Sequence, residues 1–235
     1  MKKGTLFLIP VPLTEGKTSA FLPAGNFEVI LSLRVFIVED IRSARRFLRA
    51  AGYTGDFGDV IFHILNEHTP PEEVSDMLND LANGANTGLL SEAGVPCVAD
   101  PGNLVVAAAH RLDIKVVPLT GPSSLLLALM ASGFNGQQFA FHGYLPVKSP
   151  GRLNKIKEIE AEAYRRDQTQ IFIETPYRNR QLLQSLIQTC KHQTLLCVAC
   201  NLGSHDELII SKPILWWKSN QPDIHKKPAV FLLYR

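Results

Sequence analysis

Short apolar, β-branched runs alternate with longer stretches of helical spacing along the first half of this 235-residue chain. Residues 6–9, 35–38, 60–65, 88–90 and 115–119 form the short runs and predict strands. Residues 41–51 predict a helix ended by Gly52. Phe47 and Leu48 turn inward on it, and Arg42, Arg45, Arg46 and Arg49 lie along its polar face. Pro70, Pro71, Glu72 and Glu73 place proline and acids in the first turn of a helix expected to run to about Asn83. A further helix is expected over 103–111. Strands and helices alternating at this spacing predict a parallel sheet covered on both faces. Such sheets hold ligands beyond the carboxyl ends of their strands, so the loops after Ile9, Val38 and Leu90 are expected to line a site.

The segment Leu119-Thr-Gly-Pro-Ser-Ser124 interrupts this pattern and leads into a helix over 125–132. A domain boundary is therefore expected at 118/119. The second half carries strand patterns at 139–141, 169–173, 195–198, 208–210 and 229–233, with helices at 153–165 and 178–190. Fewer helices between strands predict a mixed sheet. The fold class is α/β: a parallel-sheet domain over 1–118 and a mixed-sheet domain over 119–235.

Composition is that of a globular protein, with 46% apolar and 20% charged residues. No apolar run reaches the roughly 18 residues needed to cross a membrane. The N-terminal run is cut off by Pro10 and Pro12, which reads as a first strand rather than a secretory signal. A cytoplasmic protein without a membrane partner is expected. The cysteines are Cys97, Cys190, Cys197 and Cys200. Cys197 and Cys200 have metal-ligand spacing, and His192 or His205 would have to complete such a site. Their apolar surroundings read as a buried strand, and no metal is expected. Charge is uneven: residues 1–149 hold 11 Lys/Arg against 14 Asp/Glu, and residues 150–235 hold 13 against 8. The basic second half is compatible with an anionic partner or with plain solvation.

The stretch Leu90-Ser-Glu-Ala-Gly-Val-Pro-Cys-Val-Ala-Asp-Pro-Gly102 leaves a strand and enters a helix. Its two glycines and two prolines fix a shaped loop whose backbone a ligand can approach closely. The dinucleotide and Walker fingerprints, the nucleophile elbow and the zinc-protease motif are all missing. Ser123 and Ser124 resemble a phosphate loop only loosely and fit equally well as helix caps.

Five blocks occur in order: Val38-Glu-Asp-Ile-Arg42; Ser91-Glu-Ala-Gly-Val-Pro96 with Asp100-Pro-Gly102; Val116-Val-Pro-Leu-Thr-Gly-Pro-Ser-Ser124; Ala131-Ser-Gly133 with Phe141-His-Gly-Tyr-Leu-Pro146; and Ile171-Phe-Ile-Glu-Thr-Pro-Tyr-Arg178. Together they resemble the tetrapyrrole methylase superfamily, the class III S-adenosylmethionine-dependent methyltransferases. Within it they are most similar to the branch that 2′-O-methylates a cytidine ribose in small-subunit ribosomal RNA. The resemblance covers about residues 4–178. It implies two α/β domains with the cofactor in a cleft between them, a homodimer, and RNA of the small ribosomal subunit as partner. It also implies S-adenosylmethionine contacts from Pro10, Leu90, Ser91, Glu92, Val95, Ser123 and Ser124, with Pro228 and Ala229 near the adenine.

Methyl transfer from a sulfonium requires alignment of donor and acceptor, and a hydroxyl acceptor requires a base. Glu174 is the first choice for a catalytic acid–base residue, followed by Glu39 and Asp40. Arg42, His142, Tyr177 and Arg178 are expected on the substrate side. The alternatives are ion pairs for the arginines and a structural hydrogen bond for His142. The chain departs from the family pattern in three places. Val11-Pro-Leu-Thr-Glu-Gly-Lys17 replaces a Gly-Asn-Leu loop, Glu92 replaces an aspartate, and Ala199-Cys-Asn-Leu-Gly-Ser204 lacks the usual late charges. Three functional readings follow: an RNA 2′-O-methyltransferase, a methyltransferase acting on a small molecule such as a tetrapyrrole, and a non-catalytic cofactor-binding relative.

Overall fold

The computed structural model describes residues 2–235 apart from Glu15, Lys17, Glu67 and Pro71. It divides into two compact units, Met1–Ser123 and Ser124–Arg235.

The first unit contains strands β1 (Thr5–Ile9), β2 (Val35–Val38), β3 (Ile61–Ile64), β4 (Thr87–Leu90) and β5 (Lys115–Pro118). They form a sheet of order β3-β2-β4-β1-β5 in which every pairing is parallel. Every residue of β2 and β4 is buried, as expected for central strands covered on both faces. Helices α1 (Ala24–Ser32) and α2 (Ile41–Ala50) cover one face. There Ile30, Phe47 and Leu48 pack against Ile9, Phe36 and Val38. Helices α3 (Glu73–Met77), α4 (Asn79–Ala82) and α5 (Gly102–Arg111) cover the other. Val74, Leu81 and Val105 meet Leu6, Ile37 and Leu89 on that side.

Asp40 starts α2 by accepting a hydrogen bond from the Ser43 amide at 2.8 Å. Gly52, at φ +97°, follows its end, as the sequence predicts. Two features differ from expectation. Helix α1 is not among the elements expected from the sequence: its apolar positions carry little helical periodicity, and only Asn26 and Ile30 are buried on it. The helix expected from Pro70 to Asn83 is two short helices that meet at Leu78, and Pro71 lies outside the described residues.

The second unit holds α6 (Ser124–Ser132), β6 (Phe139–Tyr144), α7 (Ser149–Arg166), β7 (Thr169–Ile173), α8 (Asn179–Thr189), β8 (Leu195–Cys200), β9 (Leu208–Pro213), α9 (Ile214–Trp217) and β10 (Ala229–Tyr234). The sheet order is β6-β7-β10-β8-β9. β6 and β7 are parallel and the remaining pairings antiparallel, so this is the mixed sheet the sequence predicts. Phe172, Phe231 and Val198 pack with Ile156, Leu182 and Trp217 in one core. Cys197 and Cys200 stand three residues apart on β8 and therefore point to opposite faces of the sheet, which prevents them from gripping one metal ion. Among the described residues no helix is long and apolar enough to cross a membrane.

Candidate active site

In the first unit the chain leaves β2 toward the β3 edge and leaves β4 toward the β5 edge. The carboxyl ends of these adjacent strands therefore open a crevice, the usual ligand position in a parallel sheet. Val11, Val38, Glu39, Leu90, Ser91 and Glu92 line it. Beside it lies a cavity of about 460 Å³ walled by the loop after β1, the Ser43, Arg46 and Phe47 side of α2, and Glu92. That volume suits a small organic molecule. The departing loop Val11 to Lys17 supplies part of this wall, although Glu15 and Lys17 lie outside the described residues.

The shaped loop after β4 is built around Asp100. Its carboxylate accepts hydrogen bonds from the Cys97 amide at 2.9 and 3.0 Å and from the Gly102 amide at 2.8 Å. This holds Cys97 at φ +68° and Ala99 at +65°, a region that side-chain-bearing residues seldom adopt. Gly94, at φ +77°, pairs with Val11 through two backbone hydrogen bonds of 2.8 Å. The Ser91 hydroxyl donates to the Gly94 carbonyl at 2.8 Å, so the Ser91 side chain shapes the loop from within. Pro10 is buried under Gly121: a Cβ at Gly121 would stand 2.2 Å from the Pro10 ring. Only glycine lets the loops after β1 and β5 approach this closely. Of the cofactor-side residues expected from the sequence, Leu90, Ser91 and Glu92 line the crevice, Val95 is half-buried in the loop that follows, and Ser123 ends the unit.

Four carboxylates gather at this edge: Glu39, Asp40, Glu92 and Asp100. Glu39 is half-buried, and burial pushes its pKa up, with the Asp100 and Glu92 charges adding in the same direction. Asp40 is exposed, and its pKa is lowered by the Ser43 amide and hydroxyl. The Ser43 hydroxyl lies 2.7 Å from Glu92 Oε1, 3.0 Å from Asp40 Oδ1 and 3.1 Å from the Asp40 carbonyl. Its single proton serves one of these at a time, and the shortest contact is to Glu92. Burial, reinforced by Asp100, raises the Cys97 thiol to about 11, which keeps it protonated and unreactive.

Apart from Arg42, the remaining expected residues lie in the second unit. Glu174 follows β7 with its side chain fully buried. Its Oε1 accepts from the Thr175 amide at 2.7 Å and from Arg178 Nε and Nη2 at 3.0 and 2.7 Å. Its Oε2 is buried with no hydrogen-bond partner. Arg178 is thus committed to an ion pair, the alternative to phosphate binding. Tyr177 is exposed and stands edge-on to His225 at 6.5 Å. His142 lies within β6 rather than beyond a strand end, and its Nε2 is 2.7 Å from Gln170 Oε1. Ser124 opens α6. Ala229 is buried and opens β10, opposite Cys200, while Pro228 is exposed and its carbonyl accepts from the Asn201 amide. Arg42 is exposed and contributes to lowering the Asp40 pKa.

Sequence reasoning missed three contributors: Asp100 as the anchor of the loop, Ser43 as the bridge between two acids, and Arg46 in the cavity wall. The aspartate two residues before Gly102 was the available signal for the first.

Known proteins resemble this chain along most of its length. Ribosomal RNA small subunit methyltransferase I of Escherichia coli O157:H7 is 28% identical over 234 residues, covering 98% of this chain and 78% of the relative. The protein of the same name from Xylella fastidiosa is 30% identical over 207 residues, 88% of this chain and 71% of the relative. Among solved structures, the methyltransferase CobJ aligns with a TM-score of 0.66 at 14% identity, covering 99% of this chain and 94% of that one. Diphthine synthase aligns at 0.68 and 16% identity, covering 98% and 90%. These two share the fold. The family described as Tetrapyrrole (Corrin/Porphyrin) Methylases matches residues 27–214, most of both units. The chain therefore belongs to the tetrapyrrole methylase family and is a methyltransferase.

Proposed function

We propose that this chain transfers the methyl group of S-adenosylmethionine to RNA of the small ribosomal subunit, with a ribose 2′-hydroxyl as acceptor. The observation that carries this reading is the similarity to ribosomal RNA small subunit methyltransferase I along nearly the whole chain. The site suits the donor in charge and shape. S-adenosylmethionine carries an ammonium, a sulfonium and a ribose diol, and the crevice offers Glu39 and Glu92 beside apolar Val38 and Leu90. When bound, it supplies an electrophilic methyl group and leaves as a neutral thioether.

The chain's own residues hold and align. Pro10, Leu90, Ser91, Glu92 and Val95 form the cofactor wall, with Ser123, Ser124, Pro228 and Ala229 as further contacts. The backbone around Gly94 is fixed by Val11 and Ser91, so it accepts a ligand without reordering. Glu39 takes the proton from the attacking hydroxyl. Its raised pKa brings it nearer the operating pH, which strengthens it as a base. Arg42 and Tyr177 contact the substrate. The homodimer implied by the family resemblance belongs to the same proposal, and light scattering checks it through a mass twice that of the chain.

The test is transfer of labelled methyl to small ribosomal subunits lacking this class of modification, with Glu92→Ala as control. Label in RNA is expected, absent in the control, and at an alkali-resistant linkage because a methylated 2′-oxygen cannot attack its phosphate. Label on a base excludes the ribose. No label in RNA excludes the RNA reading. A small-molecule acceptor is the second reading, favoured by the 460 Å³ cavity and its Val11, Pro12, Leu13 and Phe47 lining.

A further inference from the structure

The arginines of the two units are treated differently by their surroundings. In the second unit Arg165 and Arg166 pair with Glu162, Arg178 with Glu174, Arg180 with Asp223 and Arg235 with Asp167. Arg152 is buried against Ser185 and the Val147 carbonyl. In the first unit no arginine has a carboxylate within ion-pair distance among the described residues. Four of these unpaired arginines lie on α2: Arg42, Arg45, Arg46 and Arg49, all exposed. Spaced by three and four residues, they form one continuous patch on the helix, about 10 Å long.

The neighbours of Arg45 and Arg49 hold their charges without neutralising them. The Arg45 guanidinium lies 5.4 Å from the Phe57 ring centre and 5.5 Å from that of Phe62. Arg49 lies 4.3 Å over Phe57 and donates from Nη1 to the carbonyls of Tyr53 and Gly55 at 2.7 and 3.0 Å. Tyr53 and Phe57 stack at 5.4 Å, and the Arg34 guanidinium lies 5.4 Å from the Tyr53 ring centre. Rings and carbonyls orient a guanidinium and leave its full charge in place, with Arg49 Nη2 and Nε still free to donate. Asp56 and Asp59 flank Phe57, and neither pairs with these arginines. The Arg42 and Arg46 guanidinium groups have no hydrogen bond and no carboxylate within ion-pair distance among the described residues, although the Arg42 charge helps to lower the Asp40 pKa, and Arg46 reaches the rim of the 460 Å³ cavity beside the strand ends.

We infer that the arginine face of α2 is an RNA-backbone docking surface, with Arg45 and Arg49 fixed in advance by the Tyr53–Phe57–Phe62 cluster and Arg42 and Arg46 closing onto phosphates. The inference rests on the RNA reading above and names the face that would grip the substrate. Planar guanidinium groups with several free donors suit phosphate oxygens, and rigid aromatic support lowers the ordering cost of binding. Affinity drawn from phosphates is independent of sequence and falls steeply with salt.

The experiment measures binding of a fluorescein-labelled oligouridylate to the full chain across a salt series. Each arginine that neutralises a phosphate adds about 0.7 to the slope of log affinity against log salt, hence about fivefold in affinity near 0.1 M salt. Arg42→Gln/Arg46→Gln is expected to bind about 25-fold more weakly, with the slope reduced by about 1.4. Arg46→Lys keeps most of the affinity, and Arg111→Gln, which removes an equal charge at the far end of α5, changes little. The α2 arginines Arg42 and Arg46 contact no other side chain by hydrogen bond or ion pair, so their loss leaves the fold intact, and circular dichroism checks this. Unchanged affinity and slope in the double variant overturn the docking surface while methyl transfer to RNA still stands. A wild-type chain that does not bind the oligonucleotide at all sinks both readings. Labelled poly-glutamate bound as tightly as the RNA, with the same dependence on Arg42 and Arg46, assigns the face to acidic protein segments and overturns the RNA assignment.

Discussion

Glu39 and Glu174 both follow the last residue of a strand, and both stand out in the sequence as acids at a site, yet their surroundings are opposite. Glu174 is fully buried, and its Oε1 is gripped by the Arg178 guanidinium and the Thr175 amide. Glu39 is half-buried, and the nearest charges are two other carboxylates, Asp100 and Glu92. The first acid is neutralised by its own chain and acts as an anchor for the turn that carries Tyr177. The second is held in tension, and binding a cation or giving up its charge to a proton relieves that tension. A strand-end carboxylate is thus poised for chemistry by what the fold withholds from it.

The largest expected effect breaks the anchored half of this pair. Arg178→Ala leaves a fully buried carboxylate without its counter-ion and is expected to cost about 3 kcal/mol, the lower part of the range for such losses because Arg178 is itself 36% exposed. Urea denaturation reads this as a lower midpoint with an unchanged slope. Adding Glu174→Gln removes the stranded charge and is expected to recover a large part of the loss. A double variant no more stable than Arg178→Ala would show that the arginine stabilises by packing alone, and the contrast between the two acids would lose its electrostatic basis.

How much of this was legible in the sequence depends on where each partner lies. The strands were legible because β2 and β8 are unbroken apolar runs that a doubly covered position explains, and β4 ends in Leu89 and Leu90 before a turn. Helix α1 was not, since Gly25 and Asn26 dilute its pattern and tertiary packing rather than local preference makes it. Glu39, Glu174 and the Ser91–Gly102 loop stood out from their place at strand ends. The Glu174–Arg178 pairing did not, because these residues flank a strand end and a short turn, and their spacing carries meaning only on a helix. Asp100 was invisible as an anchor for a different reason. Its partners are backbone amides of Cys97 and Gly102, and no side-chain pattern records a left-handed backbone.

Asp100 is the second place to press on the comparison. Asp100→Ala leaves the Cys97 and Gly102 amides without their acceptor in a partly buried loop, and a loss of about 2 kcal/mol is expected. The loop carries the proposed cofactor wall, so S-adenosylmethionine affinity measured by calorimetry is expected to fall with it. The substitution also removes one of the two charges that raise Glu39, so the Glu39 titration followed by NMR shifts back toward its ordinary value. A loop that keeps its cofactor affinity without Asp100 would show that the Val11–Gly94 bridge and Ser91 suffice to shape it.

The smallest effect sharpens the contrast most, because its sign is unusual. The folded-state pKa of Glu39 is raised above 4.5, so folding favours the protonated form. Above that raised value the folded chain carries a charge it would rather lose, and Glu39 weakens stability there. Below 4.5 the group is neutral whether folded or unfolded, and the penalty vanishes. Glu39→Gln is therefore expected to raise the urea midpoint slightly at neutral pH, with the gain fading as the pH falls through the raised value toward 4.5. Methyl transfer moves the other way, since the amide cannot accept the hydroxyl proton. A variant that is more stable at neutral pH and inactive would mark Glu39 as an acid kept at a cost to the fold for the sake of the reaction. A gain that stays constant with pH would trace the stabilisation to packing, and Glu39 would then be no more poised than Glu174.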